Sequence, residues 1–262
     1  MILTVLSIEF DLNGVKCEWA FTYTTLYILA MLCSIMTSKN NTTTTNLLCD
    51  GMSNKKIKKT IRLNRAHIAT FSLPAVITCP GADKCLKAGY CHAGNYNFSS
   101  NKVKQSDNYI ISQSDKFVDM ICDELNNKYT YTKYVRIHPT GDFYSMDYFI
   151  KWVTIAIKNP SVTFYAYTKS IDIINEYKTK NELPDNMIIA YSYGSKFDNL
   201  INPNVDYHAV IIPDNGDIPD GYIDGSIDDL VMTKGHKKIA LRYHHPFIKW
   251  DDSGFSEIIN PF

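Results

Sequence analysis

Three cysteines share one loop-like stretch of the chain, and together they could bind a metal ion or a cluster. Cys79, Cys85 and Cys91 follow the spacing C-x5-C-x5-C, after a β-type run, IATFSL. A loop can fold so that sulfur atoms this far apart reach one centre, and thiolates favour zinc, copper(I) or iron–sulfur clusters. The stretch therefore predicts a metal or cluster site, with three unligated thiols on an ordinary loop as the alternative.

The number of ligands separates the candidate metals. A closed structural zinc site needs four ligands, whereas this loop supplies three cysteines. Cys122 lies in a helix-like segment and His92 adjoins Cys91, and neither completes a familiar zinc spacing such as paired C-x2-C. A [4Fe–4S] cluster held by three cysteines is different, because it leaves one iron open for a substrate or cofactor. We therefore expect a [4Fe–4S] cluster, with zinc as the alternative.

The overall composition indicates a folded protein without a dominant charge. The 262 residues contain 27 basic and 27 acidic side chains, with 45% hydrophobic and 13% aromatic residues, which supports a sizeable core. A formal net charge of zero gives no general nucleic-acid binding signal. The seven cysteines are an odd number, which fits a reducing compartment better than a disulfide framework.

Residues 1–52 differ from the rest and are predicted to be an N-terminal extension. Residues 19–38 carry no charge, and twenty residues can cross a hydrocarbon core of about 30 Å, although six of them are Thr or Ser. A polar Thr/Asn linker follows at residues 40–46. Three hypotheses stay open: a dispensable extension upstream of a working start at Met52, a membrane anchor, and a signal peptide. Membrane contact is expected only through residues 19–38.

Residues 53–262 are predicted to form a single α/β domain. Helix-like patterns at 115–127, 146–158 and 171–180 separate several β-rich apolar runs, which lie at 68–73, 134–138, 162–168, 187–192, 207–212 and 238–243. Alternating strands and helices predict a parallel sheet with right-handed crossovers. The expected architecture is a partial TIM-like barrel or an open parallel sheet of about six β/α units.

Polar residues follow nearly every predicted strand. In parallel α/β folds the working residues lie at the C-terminal ends of the strands. After the second, third and fourth strands this rule selects candidate cofactor-binding residues, which are Gly141, Asp142, Lys169, Ser192 and Ser195. Asp142 has an alternative interpretation as the cap of a helix that starts near Ser145, and Lys169 as a solvated helix start.

Two motifs of this chain resemble the gene product 88 family of bacteriophage proteins, which is largely uncharacterised. They read FSLPAVITCPGADKCLKAGYCHAGN and VRIHPTGDFYSMDYFIKWVTIAIKNPSVTFYAYTKS. The resemblance covers residues 63–170 well and the remainder loosely, and it leaves residues 1–52 outside. It implies a phage-encoded protein of the host cytoplasm, anchored to a membrane if residues 19–38 are retained and inserted. Two features depart from the family: His92-Ala93 replaces Tyr-Ala after the third cysteine, and no cysteine follows Cys122.

The layout also resembles radical S-adenosylmethionine enzymes. In those enzymes, three cysteines on the loop after the first strand hold a [4Fe–4S] cluster, and a Gly-Gly-Glu-like motif meets the amino group of S-adenosylmethionine. Here Thr140, Gly141 and Asp142 occupy the place of that motif, and Ser192 or Ser195 would meet the ribose or carboxylate. The usual spacing is C-x3-C-x2-C, from which C-x5-C-x5-C departs. The resemblance implies a radical reaction on an unknown substrate; the alternative is a non-enzymatic phage accessory or binding protein with structural zinc.

Overall fold

The computed structural model describes residues 5–12, 15–22, 46–88, 98–244 and 250. The chain divides into two compact units, Met1–Thr45 and Asn46–Phe262. In the first unit, β1 (Val5–Leu12) pairs antiparallel with β2 (Val15–Thr22). The possible membrane segment, residues 19–38, overlaps the end of β2, and from residue 23 onward it lies outside the described residues. Within the described ranges, no helix is both long and apolar enough to cross a membrane.

The second unit contains an open, mostly parallel sheet of eight strands. They are β3 (Cys49–Asp50), β4 (Ile68–Phe71), β5 (Tyr134–Ile137), β6 (Thr163–Thr168), β7 (Met187–Ser192), β8 (His208–Ile212), β9 (Ile223–Asp224) and β10 (Lys238–Arg242). Their order is β3-β4-β5-β6-β7-β8-β10-β9, and β3 alone pairs antiparallel. The predicted α/β class with an open parallel sheet is confirmed. The two additional strands, β3 and β9, are two residues each and too short for a sequence pattern.

Six α-helices are present among the described residues. They are α1 (Lys55–Asn64), α2 (Lys84–Ala88), α3 (Ser99–Ser112), α4 (Phe117–Asn127), α5 (Met146–Lys158) and α6 (Ile171–Lys178). Short 3-10 helices span Gly51–Ser53, Asp198–Leu200 and Val231–Lys234. The bounds of α5 match the prediction, because Ser145 caps its first turn and Pro160 follows its end.

The two faces of the sheet are buried against different layers. Phe164 of β6 belongs to the larger core cluster, which also contains Trp152 of α5. The next residue, Tyr165, belongs to a second cluster with Ile57 of α1 and Met232 of a 3-10 helix. This division follows from the alternation of side chains along a strand. The lysine-rich helix α1 is therefore packed over the second face of the sheet.

The second unit begins before the predicted domain start at residue 53. Leu47 and Leu48 are fully buried in the larger core cluster. Their backbone N–H groups both donate to the carboxylate of Glu124 on α4, with Leu48 N lying 2.9 Å from Glu124 Oε2. Within the predicted extension, Leu47 and Leu48 thus belong to the core, and Cys49–Asp50 belongs to the sheet.

Candidate functional site

A cavity of about 350 Å³ lies where strands β4 to β7 end. Its position agrees with the rule that parallel α/β proteins place their sites at the C-terminal ends of strands. Six of the predicted site residues line it: Cys79, Cys85, Gly141, Asp142, Lys169 and Ser192. Sequence positions more than a hundred residues apart therefore meet at one place.

The cysteine loop supplies two half-buried free thiols to this cavity. Cys79 precedes a turn in which the Ala82 N–H donates to the Cys79 carbonyl at 3.1 Å, and Cys85 lies in α2. Burial, together with the nearby Asp142 carboxylate, raises the pKa of Cys79 to about 12. Burial also raises the pKa of Cys85, although the charge of Lys169 opposes that rise. Cys91, the third predicted ligand, lies outside the described residues.

The loop is held against the segment that follows β7. Ala82 forms a β-bridge with Ser195, and the Ser195 hydroxyl lies 2.7 Å from the Lys169 carbonyl and 3.0 Å from the Gly81 carbonyl. A Cβ on Gly81 would lie only 1.9 Å from that same Lys169 oxygen, so no other residue fits there. Ser195 is not among the residues that line the cavity; it fixes the loop that carries the thiols.

Gly141 allows a second close approach beside the cavity. Its φ of 80° lies in the left-handed region that favours glycine. A Cβ there would lie 2.6 Å from Leu73 Cβ and 2.8 Å from Thr78 Oγ1. The turn after β5 can therefore pack tightly on the segment after β4. Two hydrogen bonds between Leu73 and Thr140 reinforce this packing.

Asp142 is a buried carboxylate with three protein donors. Its Oδ1 accepts from the Phe143 N–H at 2.8 Å and from Thr168 Oγ1 at 2.5 Å, and its Oδ2 accepts from the Lys169 N–H at 2.8 Å. Burial raises its pKa, and these three hydrogen bonds oppose that rise. The alternative role as a helix cap is wrong, because Ser145 caps α5. A carboxylate has about four acceptor positions, so about one remains for a ligand.

Lys169 directs its ammonium group to the end of β7. Lys169 Nζ donates to Ser192 Oγ at 2.8 Å, to the Ser192 carbonyl at 3.1 Å and to the Tyr193 carbonyl at 2.6 Å. Burial lowers its pKa, whereas the nearby Cys85 thiol and the Asp198 and Asp142 carboxylates act in the opposite direction. Lys169 is therefore a partly buried lysine whose ammonium group is held by three acceptors beside the thiols, and it is not a solvated helix start.

Two further residues with potentially reactive side chains, Cys122 and His138, do not line the cavity. Cys122, on α4, accepts a 3.2 Å hydrogen bond from Asn159 Nδ2 and packs against the main core. His138 is buried, and its Nε2 lies 2.8 Å from the Tyr148 hydroxyl. Sequence reasoning missed Thr168, whose hydroxyl binds Asp142; the only signal was its place at the end of a predicted strand.

Comparison with known proteins gives a single result. No curated protein and no solved structure shows a significant match. The family model described as gene product 88 matches residues 37–253. That range contains the three loop cysteines and every strand of the eight-stranded sheet, and it includes residues 37–52, which the motifs alone had left outside. The chain therefore belongs to the gene product 88 family, the phage family that its cysteine and Thr-Gly-Asp motifs resemble.

Proposed function

We propose that this protein is an iron–sulfur enzyme of the radical S-adenosylmethionine type, with the cavity at the ends of β4 to β7 as its active site. One observation carries the proposal: two thiols, a partly buried ammonium group, a buried carboxylate and a serine hydroxyl converge on one cavity of about 350 Å³. Such a cavity is large enough for a small cofactor. Neither the composition nor the fold alone would single out this chemistry.

The residues at the cavity fit a thiophilic metal centre. Cys79 and Cys85 supply two soft donors, and the sequence adds Cys91 as the third. The described part of the chain contains no group of three or more His, Cys, Asp or Glu side chains that could hold a metal, and Cys91 is not in that part. Lys169 would balance the negative charge that deprotonated thiols bring, because its charge already acts on Cys85.

The polar residues of the cavity fit the amino-acid end of S-adenosylmethionine. The remaining acceptor position of Asp142 would take a charge-assisted hydrogen bond from the ammonium group. The Ser192 hydroxyl accepts from Lys169, so its own proton is available for the carboxylate or a ribose oxygen. A cluster held by Cys79, Cys85 and Cys91 would supply the electron for reductive cleavage of the sulfonium carbon–sulfur bond. The protein would contribute orientation of the cofactor and exclusion of water.

Metal content tests this proposal directly. Anaerobically purified protein supplied with iron and sulfide should be brown and contain both elements. Alanine substitution of Cys79, Cys85 or Cys91 should abolish iron uptake. Cys122→Ala is the matched control, because the Cys122 thiol accepts a hydrogen bond from Asn159 and does not line the cavity.

Two outcomes would overturn the proposal. A colourless protein with tightly bound zinc would identify a structural metal site in a non-enzymatic protein. Equal loss of metal from Cys122→Ala and the three loop variants would indicate a four-cysteine site without an open position.

A further inference from the structure

A second cavity, of about 550 Å³, adjoins the candidate active site and is lined by basic side chains. The two cavities share Cys85, Pro139, Lys169 and Ser192. No Asp or Glu is among the described residues that line the second cavity, hereafter the basic cavity. Its Lys and Arg residues are Lys55, Lys56, Lys59, Arg136, Lys169 and Arg242.

Helix α1 brings three of these cations to one place. Ile57 is buried against the second face of the sheet, which leaves Lys55, Lys56 and Lys59 on the side that lines the cavity. The side chain of Asn54 caps the helix by accepting from the Lys56 and Ile57 N–H groups. The cap and the buried isoleucine therefore fix the position of the lysines.

One carboxylate, Asp229, neutralises only part of this charge. It lies 2.8 Å from Lys56 Nζ, and Arg136 Nη1 lies 3.0 and 3.1 Å from its two oxygens. Although burial opposes it, the charges of Arg136 and Lys56 hold the pKa of Asp229 well below its usual range. Asp229 is thus a single negative charge shared by two cations.

Lys55 and Lys59 make no ion pair within the described ranges, and both are exposed. They leave an excess of two exposed positive charges at the cavity, in addition to the ion pairs that Lys56 and Arg136 form with Asp229. Arg242 is balanced separately by Asp224 at 2.9 Å. The excess is local, since the whole chain has a formal net charge of zero.

Clustered cations repel one another, and an anionic ligand would relieve that repulsion. A cluster of cations beside the proposed active-site cavity therefore favours an anionic ligand. The Arg136 guanidinium is held in place by Asp229 and by the ring of Tyr167, whose centre lies 4.5 Å from Arg136 Cζ. A fixed guanidinium flanked by lysines is a typical arrangement for binding phosphate. Apolar Ile211 and Leu241 form another part of the wall. Its volume of about 550 Å³ lies within the range of small-molecule pockets.

We infer that the basic cavity binds the phosphoryl group of a small phosphorylated substrate, whose reactive part extends into the adjoining cavity. The role as substrate site rests on the proposed function. Binding of the anion itself does not, because neither a metal nor S-adenosylmethionine takes part in it.

Calorimetric titration of the full chain tests the inference, using inorganic pyrophosphate, ribose 5-phosphate and ribose as probes. Pyrophosphate and ribose 5-phosphate should bind saturably, and ribose should not. The double variant Lys55→Ala/Lys59→Ala should weaken both interactions by about tenfold or more. The matched control, Lys58→Ala/Arg62→Ala, removes the same charge from the same helix at positions outside the cavity lining, and it should bind like the unmodified chain.

Three results would overturn the inference: no saturable binding of either phosphate, equal loss in both double variants, or tighter binding of a short single-stranded oligonucleotide than of the small phosphates. Because iron and sulfide are not measured here, failure of this test is distinct from failure of the proposed function.

Discussion

The backbone N–H of Lys169 donates to the carboxylate of Asp142 at 2.8 Å and joins the end of β6 to the turn after β5. The side chain of the same lysine reaches onward to the end of β7, where it binds Ser192. Three consecutive strands are therefore linked at their C-terminal ends through one residue. The polar groups of the candidate site position one another, so a change in one should be measurable in the others.

Asp142→Asn should lower the free energy of unfolding by about 1–3 kcal/mol. The amide NH2 of asparagine would face an N–H or hydroxyl group that now donates a hydrogen bond to the carboxylate. Denaturant unfolding of the metal-free protein measures this. Asp185→Asn is the control, since Asp185 is exposed, and it should change stability by less than about 0.5 kcal/mol. Unchanged stability in Asp142→Asn would show that the three hydrogen bonds contribute little.

Gly81→Ala should displace the cysteine loop, because the new Cβ would lie 1.9 Å from the Lys169 carbonyl oxygen. Cys79 and Cys85 should then react faster with a thiol reagent, as measured by mass spectrometry of the labelled peptides. Ser195→Ala removes only the hydroxyl that bridges the Gly81 and Lys169 carbonyls, so its effect should be smaller. Equal labelling rates in Gly81→Ala and the unmodified chain would contradict the packing described for this loop.

His138 should make the protein less stable as the pH falls. Burial, together with the charge of Arg136, lowers its pKa to about 3 in the folded state, whereas an unfolded histidine has a pKa of about 6.5. Between these values only the unfolded state binds the proton, so the free energy of unfolding falls with decreasing pH, by up to about 1.4 kcal/mol per pH unit from this residue.

The variant His138→Asn isolates that contribution. Asparagine tolerates the left-handed backbone of this position, where φ is 57°. Unfolding titrations between about pH 6 and 4 should give a shallower slope for the variant than for the unmodified chain. Parallel slopes would assign the acid sensitivity to other groups.

A chain that starts at Met52 should be less stable than one that starts at Asn46. The shorter chain lacks Leu47 and Leu48, which are fully buried, and it also lacks β3. Burying a leucine contributes about 1.5–3 kcal/mol, so the two starts should differ by several kcal/mol in the free energy of unfolding. Equal stability of the two chains would support the hypothesis that everything before Met52 is dispensable.

The central strands could be predicted because strands buried on both faces appear as continuous apolar runs, as in β6, β7 and β8. Helix α1 could not, since its ten residues, KKIKKTIRLN, contain few apolar side chains. Its stability comes from the Asn54 cap and from the packing of Ile57 against the sheet. Ile57 and Ile61 lie four residues apart on the face that packs on the sheet, but the low overall hydrophobicity of the segment obscured this helical period.

The position of the candidate site could be predicted from the sequence, but the hydrogen bonds and ion pairs between its residues could not. The ends of parallel strands meet at one edge, which selected Asp142, Lys169 and Ser192. The basic cavity was hidden from sequence reasoning, because Arg136 and its partner Asp229 are 93 residues apart. A net charge of zero over the whole chain also masks a local excess of cations.

The position of β10 between β8 and β9 sets the order in which the sheet can be completed. The ribosome synthesises β3 to β8 in the order in which they lie in the sheet, so each strand can pair with a neighbour that has already been synthesised. In the described sheet β9 pairs only with β10, through Ile223 with Ile239 and Asp224 with Ala240. It must therefore wait for residues 238–242 to leave the ribosome. The wall formed by Leu241 and Arg242 is consequently among the last parts to assemble, and a prematurely terminated chain would keep the thiol-bearing loop but lack this wall.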